Sequence, residues 1–348
     1  MLNAELKKRN LPPLKSKEEM LTEIITTEYG TLPKKPDKIE WIEKDSPTPA
    51  YCCGRARLTP VECKCEINGR EFSFPFMASI PKTEGPHPFF VLINFRPNVP
   101  DFYLPAEEII DNGFAVLSFD YNDITLDKNE YESGLCGVLF ENGERKEYDC
   151  GKISMWAWAA QRILDWAETK SELDMNRAMV CGHSRLGKTA LVAAATDTRF
   201  KLVYSNDSGC MGAAISRDKR GERKEVICRV FPHWFTPKFN SMSCDESLLP
   251  FDQHYLLSAI SPRFVLIGSA VEDIWADPES EMLNCVASSP IFEKDGVKGF
   301  CHNNKYAEVG EKYFDGNIGY HLRQGVHYFG REDWHRLMEF AKLKFNIK

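Results

Sequence analysis

The sequence predicts a three-layer α/β sandwich built on a mostly parallel, doubly wound sheet, and three observations carry that prediction. Short apolar runs recur at residues 89–95, 114–119, 178–181, 202–205 and 264–268, as expected of strands buried on both faces. Amphipathic segments separate them, most clearly 154–170, where Trp156, Ala159, Ala160, Ile163, Leu164 and Trp166 repeat at helical spacing. Strands that alternate with helices pair in parallel and carry their crossovers on both faces of the sheet.

Taken in order, the chain opens with about 55 polar, Pro-rich residues holding one helix-like stretch, 17–27, before Pro33, Pro36, Pro47 and Pro49. These read as an arm (1–55) packed on a main domain (56–348). Two β-rich runs within 56–80 flank Asn68-Gly69, a dipeptide that tolerates the positive φ angles of a tight hairpin. After the parallel strands begin, residues 208–261 break the rhythm, being rich in charge, aromatics and glycine where one crossover helix would suffice. Inserts of this length usually carry lids or binding loops, so this one is expected to roof a substrate site. The chain closes with a short strand at 319–322, a Gly-containing loop at 323–327, and a helix at 331–344 with Trp334, Leu337, Phe340 and Ala341 on one face.

Composition narrows the function. With 43% hydrophobic residues and a formal charge of -7, Lys and Arg being scattered, the chain has no basic face for a phosphate backbone, and nucleic acid is not an expected partner. No apolar run reaches the roughly 18 to 20 residues that cross a bilayer, and residues 1–20 lack the apolar core of a signal sequence. A cytoplasmic location is therefore expected, although a secreted protein stripped of its leader would read the same. Twelve cysteines include the cluster Cys52, Cys53, Cys63 and Cys65, but no C-x-x-C pair is present, and Cys63 and Cys65 share one face of an alternating strand. They read as small buried hydrophobes, and neither a metal nor a cofactor is expected.

The chemistry lies in Met179-Val-Cys-Gly-His-Ser184-Arg-Leu-Gly-Lys188, an apolar strand that turns at once into an Ala-rich helix. Such a turn needs small neighbours and lifts the serine hydroxyl into the open, and Gly182 and Gly187 supply the room. Leu186 replaces the last glycine of the G-x-S-x-G pattern, and a serine that merely caps the helix is the competing reading. As a nucleophile, Ser184 would sit at a helix N-terminus whose free N–H groups face a developing oxyanion, with the Arg185 guanidinium beside it as a second, charged stabiliser or else as half of a surface ion pair.

A nucleophilic serine needs a neutral imidazole, which in the α/β-hydrolase fold comes last in the chain on a loop after the final strand. His327 occupies that position, whereas His321 lies in the strand and His335 in the helix. Two carboxylates compete to orient it: Asp273, after the strand at 264–268, and Asp207, after the strand at 202–205. Sequence alone leaves both open.

The runs Gly182-His-Ser-Arg-Leu-Gly-Lys188, Ser205-Asn-Asp-Ser-Gly-Cys-Met-Gly-Ala-Ala214, Phe231-Pro-His-Trp-Phe235 and Glu272-Asp-Ile-Trp-Ala-Asp-Pro278 together resemble carbohydrate esterase family 15, the glucuronoyl esterases, over residues 85–345. The resemblance implies metal-free hydrolysis of the ester between 4-O-methylglucuronic acid on xylan and an alcohol. It makes Ser184 the nucleophile, Arg185 the oxyanion stabiliser, Lys188 a ligand of the uronate hydroxyls, Trp275 a wall of the sugar site, and Glu222 a further sugar contact. Many relatives carry Glu where this chain has Asp207, one methylene shorter, which favours Asp273 as the orienting acid. The alternatives are deacetylation of xylo-oligosaccharides by the same residues, and an inactive carbohydrate-binding protein on a hydrolase scaffold.

Overall fold

The computed structural model describes residues 1–101 and 103–347. Ten strands form one sheet: β1 (Lys38–Glu43), β2 (Ala56–Ile67), β3 (Arg70–Pro81), β4 (His87–Asn94), β5 (Ala115–Asp120), β6 (Leu173–His183), β7 (Leu202–Asn206), β8 (Phe264–Ala270), β9 (Lys312–Tyr313) and β10 (Ile318–Arg323). Their order across the sheet is β1-β2-β3-β5-β4-β6-β7-β8-β10-β9. From β5 to β10 all neighbours run parallel, while β1 to β3 and β9 pair antiparallel at the two edges.

Alternation along the central strands builds the three layers. In β4, Phe89, Val91 and Ile93 face the cluster that holds Trp156, Leu191, Leu256 and Leu283, so the helices Lys152–Ala167, Arg185–Thr196, His254–Ala259 and Pro278–Lys294 cover that side. Phe90 and Leu92 face the opposite cluster with Ile109, Trp334, Leu337 and Phe340, from the helices Ala106–Asp111 and Arg331–Phe345. The expected sandwich is thus an α/β-hydrolase fold.

The hairpin forms as its sequence predicts: Ile67 pairs with Arg70, and Asn68 (φ 52°) and Gly69 (φ 73°) both take positive φ. Two boundaries differ from expectation. Helix Lys17–Ile24, closed by a capping box between Ser16 and Glu19, gives way to a wider π turn at Ile25–Tyr29. Within the expected arm, Lys38–Glu43 joins the sheet as its edge strand, against β2. The rest of the arm is stitched down by long-range bonds: Arg9 donates to the carbonyl of Arg217 (2.7 Å), and Tyr29 donates its hydroxyl to the carbonyl of Met211 (3.0 Å). Both acceptors belong to the 208–261 insert, which carries the helices Lys224–Val230, Pro237–Ser241 and His254–Ala259 between β7 and β8. No helix among the described residues is long and apolar enough to cross a membrane.

Candidate active site

All eight residues singled out in the sequence meet at the C-terminal ends of the parallel strands. Ser184, Arg185, Lys188, Asp207, Glu222, Asp273, Trp275 and His327 line one cavity of about 320 Å³, together with Ser208, Gly209, Phe231, Trp234 and Ala276. The insert supplies Ser208, Gly209, Glu222, Phe231 and Trp234.

Ser184 sits between β6 and the helix Arg185–Thr196 with φ 58° and ψ -126°, a conformation that L-residues hold only where surrounding structure enforces it. Enforcement is visible on both sides. A Cβ on Gly182 would lie 2.2 Å from the Leu186 carbonyl oxygen, and one on Gly187 would lie 2.9 Å from Ser205 Oγ and Ser208 Cβ. The Ser184 N–H donates to the Asn206 carbonyl (2.9 Å), which fixes the turn to β7. Its side chain makes no capping hydrogen bond to the helix, so the competing role for this serine does not apply.

Across the cavity, the loop after β10 brings His327 to Asp273, which follows β8: Nδ1 lies 2.6 Å from Asp273 Oδ2. Asp273 Oδ1 accepts from the Ala276 N–H at 3.2 Å. Asp207, after β7, is spent elsewhere, one oxygen accepting from the Ala270 N–H (2.8 Å) and the other from Arg323 Nη2 (3.1 Å). His183 packs its ring 4.3 Å from that of His327 and bonds Asn206 Oδ1 through Nδ1 (2.7 Å). Burial and the neighbouring His327 push the His183 imidazole well below its ordinary range, so it stays neutral beside the exposed histidine.

Arg185 is clamped by Asp127 and Phe95, which the sequence reading did not single out, and by Phe231 and Trp234 of a run it quoted without assigning a role. Its guanidinium pairs with Asp127 and lies over Phe95, Phe231 and Trp234, with 4.9 Å to the Trp234 ring centre. Asp127 also accepts from His233 Nε2 (2.8 Å), Trp234 Nε1 (2.7 Å) and Tyr121 Oη (3.2 Å). Burial alone would raise the Asp127 carboxyl, but these donors and Arg185 hold it at about 2. Arg185 Nε is buried without a hydrogen-bond partner.

The far wall holds Lys188, whose ammonium donates to the Ser208 carbonyl (2.5 Å) and lies 5.7 Å from the Trp234 ring centre. Burial pulls the ammonium below the usual lysine range, and Glu222 opposes that shift. Glu222 and Trp275 sit on different segments but are joined backbone to backbone. The Glu222 N–H donates to the Trp275 carbonyl (3.0 Å), and a Cβ on Gly221 would fall 2.4 Å from the Ile274 oxygen. Trp275 is 55% exposed at the cavity mouth, so its ring faces solvent instead of core.

Asp207, Asp273 and His327 are the one group of possible metal ligands among the described residues, their ligand atoms lying within 4.8 Å of one another. The set does not suit a cation, because Arg323 already places a positive charge on Asp207.

Fold and cavity thus define a member of the α/β hydrolases with a serine at the strand-to-helix elbow. A family model described as glucuronyl esterase, fungi, matches residues 63–296, and the chain belongs to that family. Among curated relatives, the carbohydrate esterase MZ0003 of an unknown prokaryotic organism is 39% identical over 237 residues, 68% of this chain and 54% of that protein. The 4-O-methyl-glucuronoyl methylesterase of Podospora anserina is 28% identical over 259 residues, 71% of this chain and 49% of that protein. The chain spans about half the length of the curated relatives it matches. Among solved structures, a glucuronoyl esterase from Solibacter usitatus superposes with a TM-score of 0.86 at 28% identity, covering 95% of this chain and 92% of the other. A promiscuous CE15 esterase from a marine bacterial metagenome gives a TM-score of 0.83 at 30% identity, covering 94% and 91%. The relatives give no support to the cytoplasmic placement expected from the N-terminus.

Proposed function

We propose that this chain is a serine carboxylic-ester hydrolase that cleaves glucuronate esters of xylan-derived saccharides through an acyl-enzyme. The observation that carries the reading is the 2.6 Å contact between His327 Nδ1 and Asp273 on the cavity that also holds the strained Ser184. With Nδ1 committed to a carboxylate, the imidazole presents Nε2 as the base. It takes the Ser184 proton as Oγ attacks the ester carbonyl, and returns it to the departing alcohol. Water, activated by the same nitrogen, then releases the acid and restores the serine.

Arg185 supports the oxyanion with charge, and the helix N-terminus behind Ser184 supports it with N–H dipoles; a single such donor is commonly worth about 3 to 4 kcal/mol of barrier. Lys188, Glu222 and Trp275 furnish a cation, a carboxylate and an exposed ring, the groups a pyranose with several hydroxyls takes up. Deacetylation would call for a small acyl pocket, whereas Lys188, Glu222 and Trp275 are the groups a uronate site uses.

Hydrolysis of benzyl glucuronate and of 4-nitrophenyl acetate, by wild type and Ser184→Ala, tests the reading. The expected result is a strong, Ser184-dependent preference for the glucuronate. Activity on the acetate alone would replace the substrate, and serine-independent turnover would discard the nucleophile.

A further inference from the structure

Arg323 ends β10, four residues before His327, and is buried with its whole donor set engaged. Nε donates to both oxygens of Asp333 (2.8 and 2.9 Å). Nη1 donates to the carbonyls of Gln324 (3.1 Å) and Val326 (3.2 Å). Nη2 donates to Asp207 Oδ2 (3.1 Å) and to the carbonyl of Tyr328. The backbone therefore wraps around the guanidinium, with the carbonyls just before and just after His327 bonded to the same group. Asp333 finishes the clasp. It accepts from the Gly330 N–H (2.9 Å) at the far end of the loop and from Asn206 Nδ2 (3.0 Å) on β7.

Charge is matched as closely as geometry. Burial and the neighbouring Glu281 push the Asp207 carboxyl upward, and Arg323 is the cation that opposes them. Both groups bonded to Asp207, a backbone N–H and a guanidinium, can only donate, a pattern that suits an ionised carboxylate. Asp273, by contrast, has His327 to itself among the cavity carboxylates.

We propose that Arg323 is a positioning residue that sets the placement of His327 by gripping the loop on both sides of it, and that Asp207 acts through Arg323 instead of serving the imidazole as a second acid. This rests on the esterase reading above for its catalytic meaning. The grip itself is independent of that reading. A fork with donors on three sides is required, because an ammonium cannot reach carbonyls and carboxylates in three directions at fixed angles.

The test compares wild type with Arg323→Met, Arg323→Lys, Asp207→Asn, Asp273→Asn and the double variant Asp207→Asn/Arg323→Met. Benzyl glucuronate kinetics, fluorophosphonate labelling and the downfield proton resonance of the His327–Asp273 hydrogen bond are the readouts. Arg323→Met is expected to lower kcat on the order of a hundredfold with KM little changed, as a displaced catalytic group does. Arg323→Lys recovers part of the loss. The double variant is no slower than Arg323→Met, and the resonance persists in Asp207→Asn but vanishes in Asp273→Asn. Multiplying losses in the double variant, or a resonance lost in Asp207→Asn, would overturn the proposal by showing Asp207 acting on the imidazole directly. If Arg323→Met does not fold, Arg323→Lys and Asp207→Asn decide by the same resonance and kcat. A wild type inert to ester and probe would refute the esterase reading, while the resonance would still report whether Arg323 holds His327.

Discussion

The two walls of the cavity are held by different physics. On the Ser184 side, position comes from close packing of backbone: glycines with no room for a Cβ, a serine at φ 58°, and one N–H tied to the adjacent strand. On the His327 side, position comes from charge: Asp273 on the ring, and Arg323 with Asp207 and Asp333 beneath the loop. A sterically built wall fails when an atom is added, and an electrostatically built one fails when a charge is removed. Under the proposed mechanism the serine keeps one rigid geometry, whereas the histidine carries a proton between two oxygens from an exposed loop, a task suited to a tethered side chain.

Removing the groups that meet between the walls has the largest effect. Ser184→Ala should lower kcat by about a millionfold, by analogy with losses of a serine nucleophile elsewhere, with an unchanged circular dichroism spectrum. Asp273→Asn should cost about ten thousandfold in kcat, because an amide selects the wrong imidazole tautomer. If Asp207→Asn is the more damaging of the two aspartate changes, the division of labour on the histidine wall is reversed.

The steric wall is probed next. Gly182→Ala should slow turnover roughly a hundredfold through misplacement of the serine. The same overpacking should lower stability by about 1 to 3 kcal/mol, read in thermal unfolding. Stability and rate should fall together here, while Asp273→Asn lowers rate alone; equal behaviour of both would erase the contrast.

The smallest effect lies at the seam behind Arg185. Asp127 is held at about 2, below its ordinary 3.8, so its contribution is fully present above pH 4 to 5 and disappears as pH falls toward 2. That shift corresponds to about 2 kcal/mol. Asp127→Asn should lose this amount at pH 7 and match the wild type near pH 2, a convergence that acid unfolding curves would reveal.

Ser184, His327 and Asp273 were legible because each follows the end of a strand, whereas Lys188, Glu222 and Trp275 were named only through the family resemblance. The G-H-S-R-L-G-K run fixes a turn by local sterics, and His327 and Asp273 follow strands that apolar runs mark out. The choice between Asp207 and Asp273 was not legible, since it depends on Arg323, whose tie to Asp207 spans 116 residues. Asp127 was hidden for the same reason, since it meets Arg185 across 58 residues and Trp234 across 107; His233 and Trp234 stood in a quoted run, but their bonds to Asp127 were not readable. Strand β1 was missed because Lys38–Glu43 is short, charged and flanked by proline-rich chain, and becomes a strand only by pairing with β2.

The backbone bond between Glu222 and Trp275 bears on how substrate range can change in this lineage. Because the two segments are packed together at Gly221, lengthening or reshaping either loop drags the other with it, so the cavity carboxylate of Glu222 and the aromatic rim of Trp275 are coupled through loop geometry. Diversification is then channelled into exchange of side chains on a shared frame, above all at position 275, where an exposed ring can be traded without disturbing the packing beneath it.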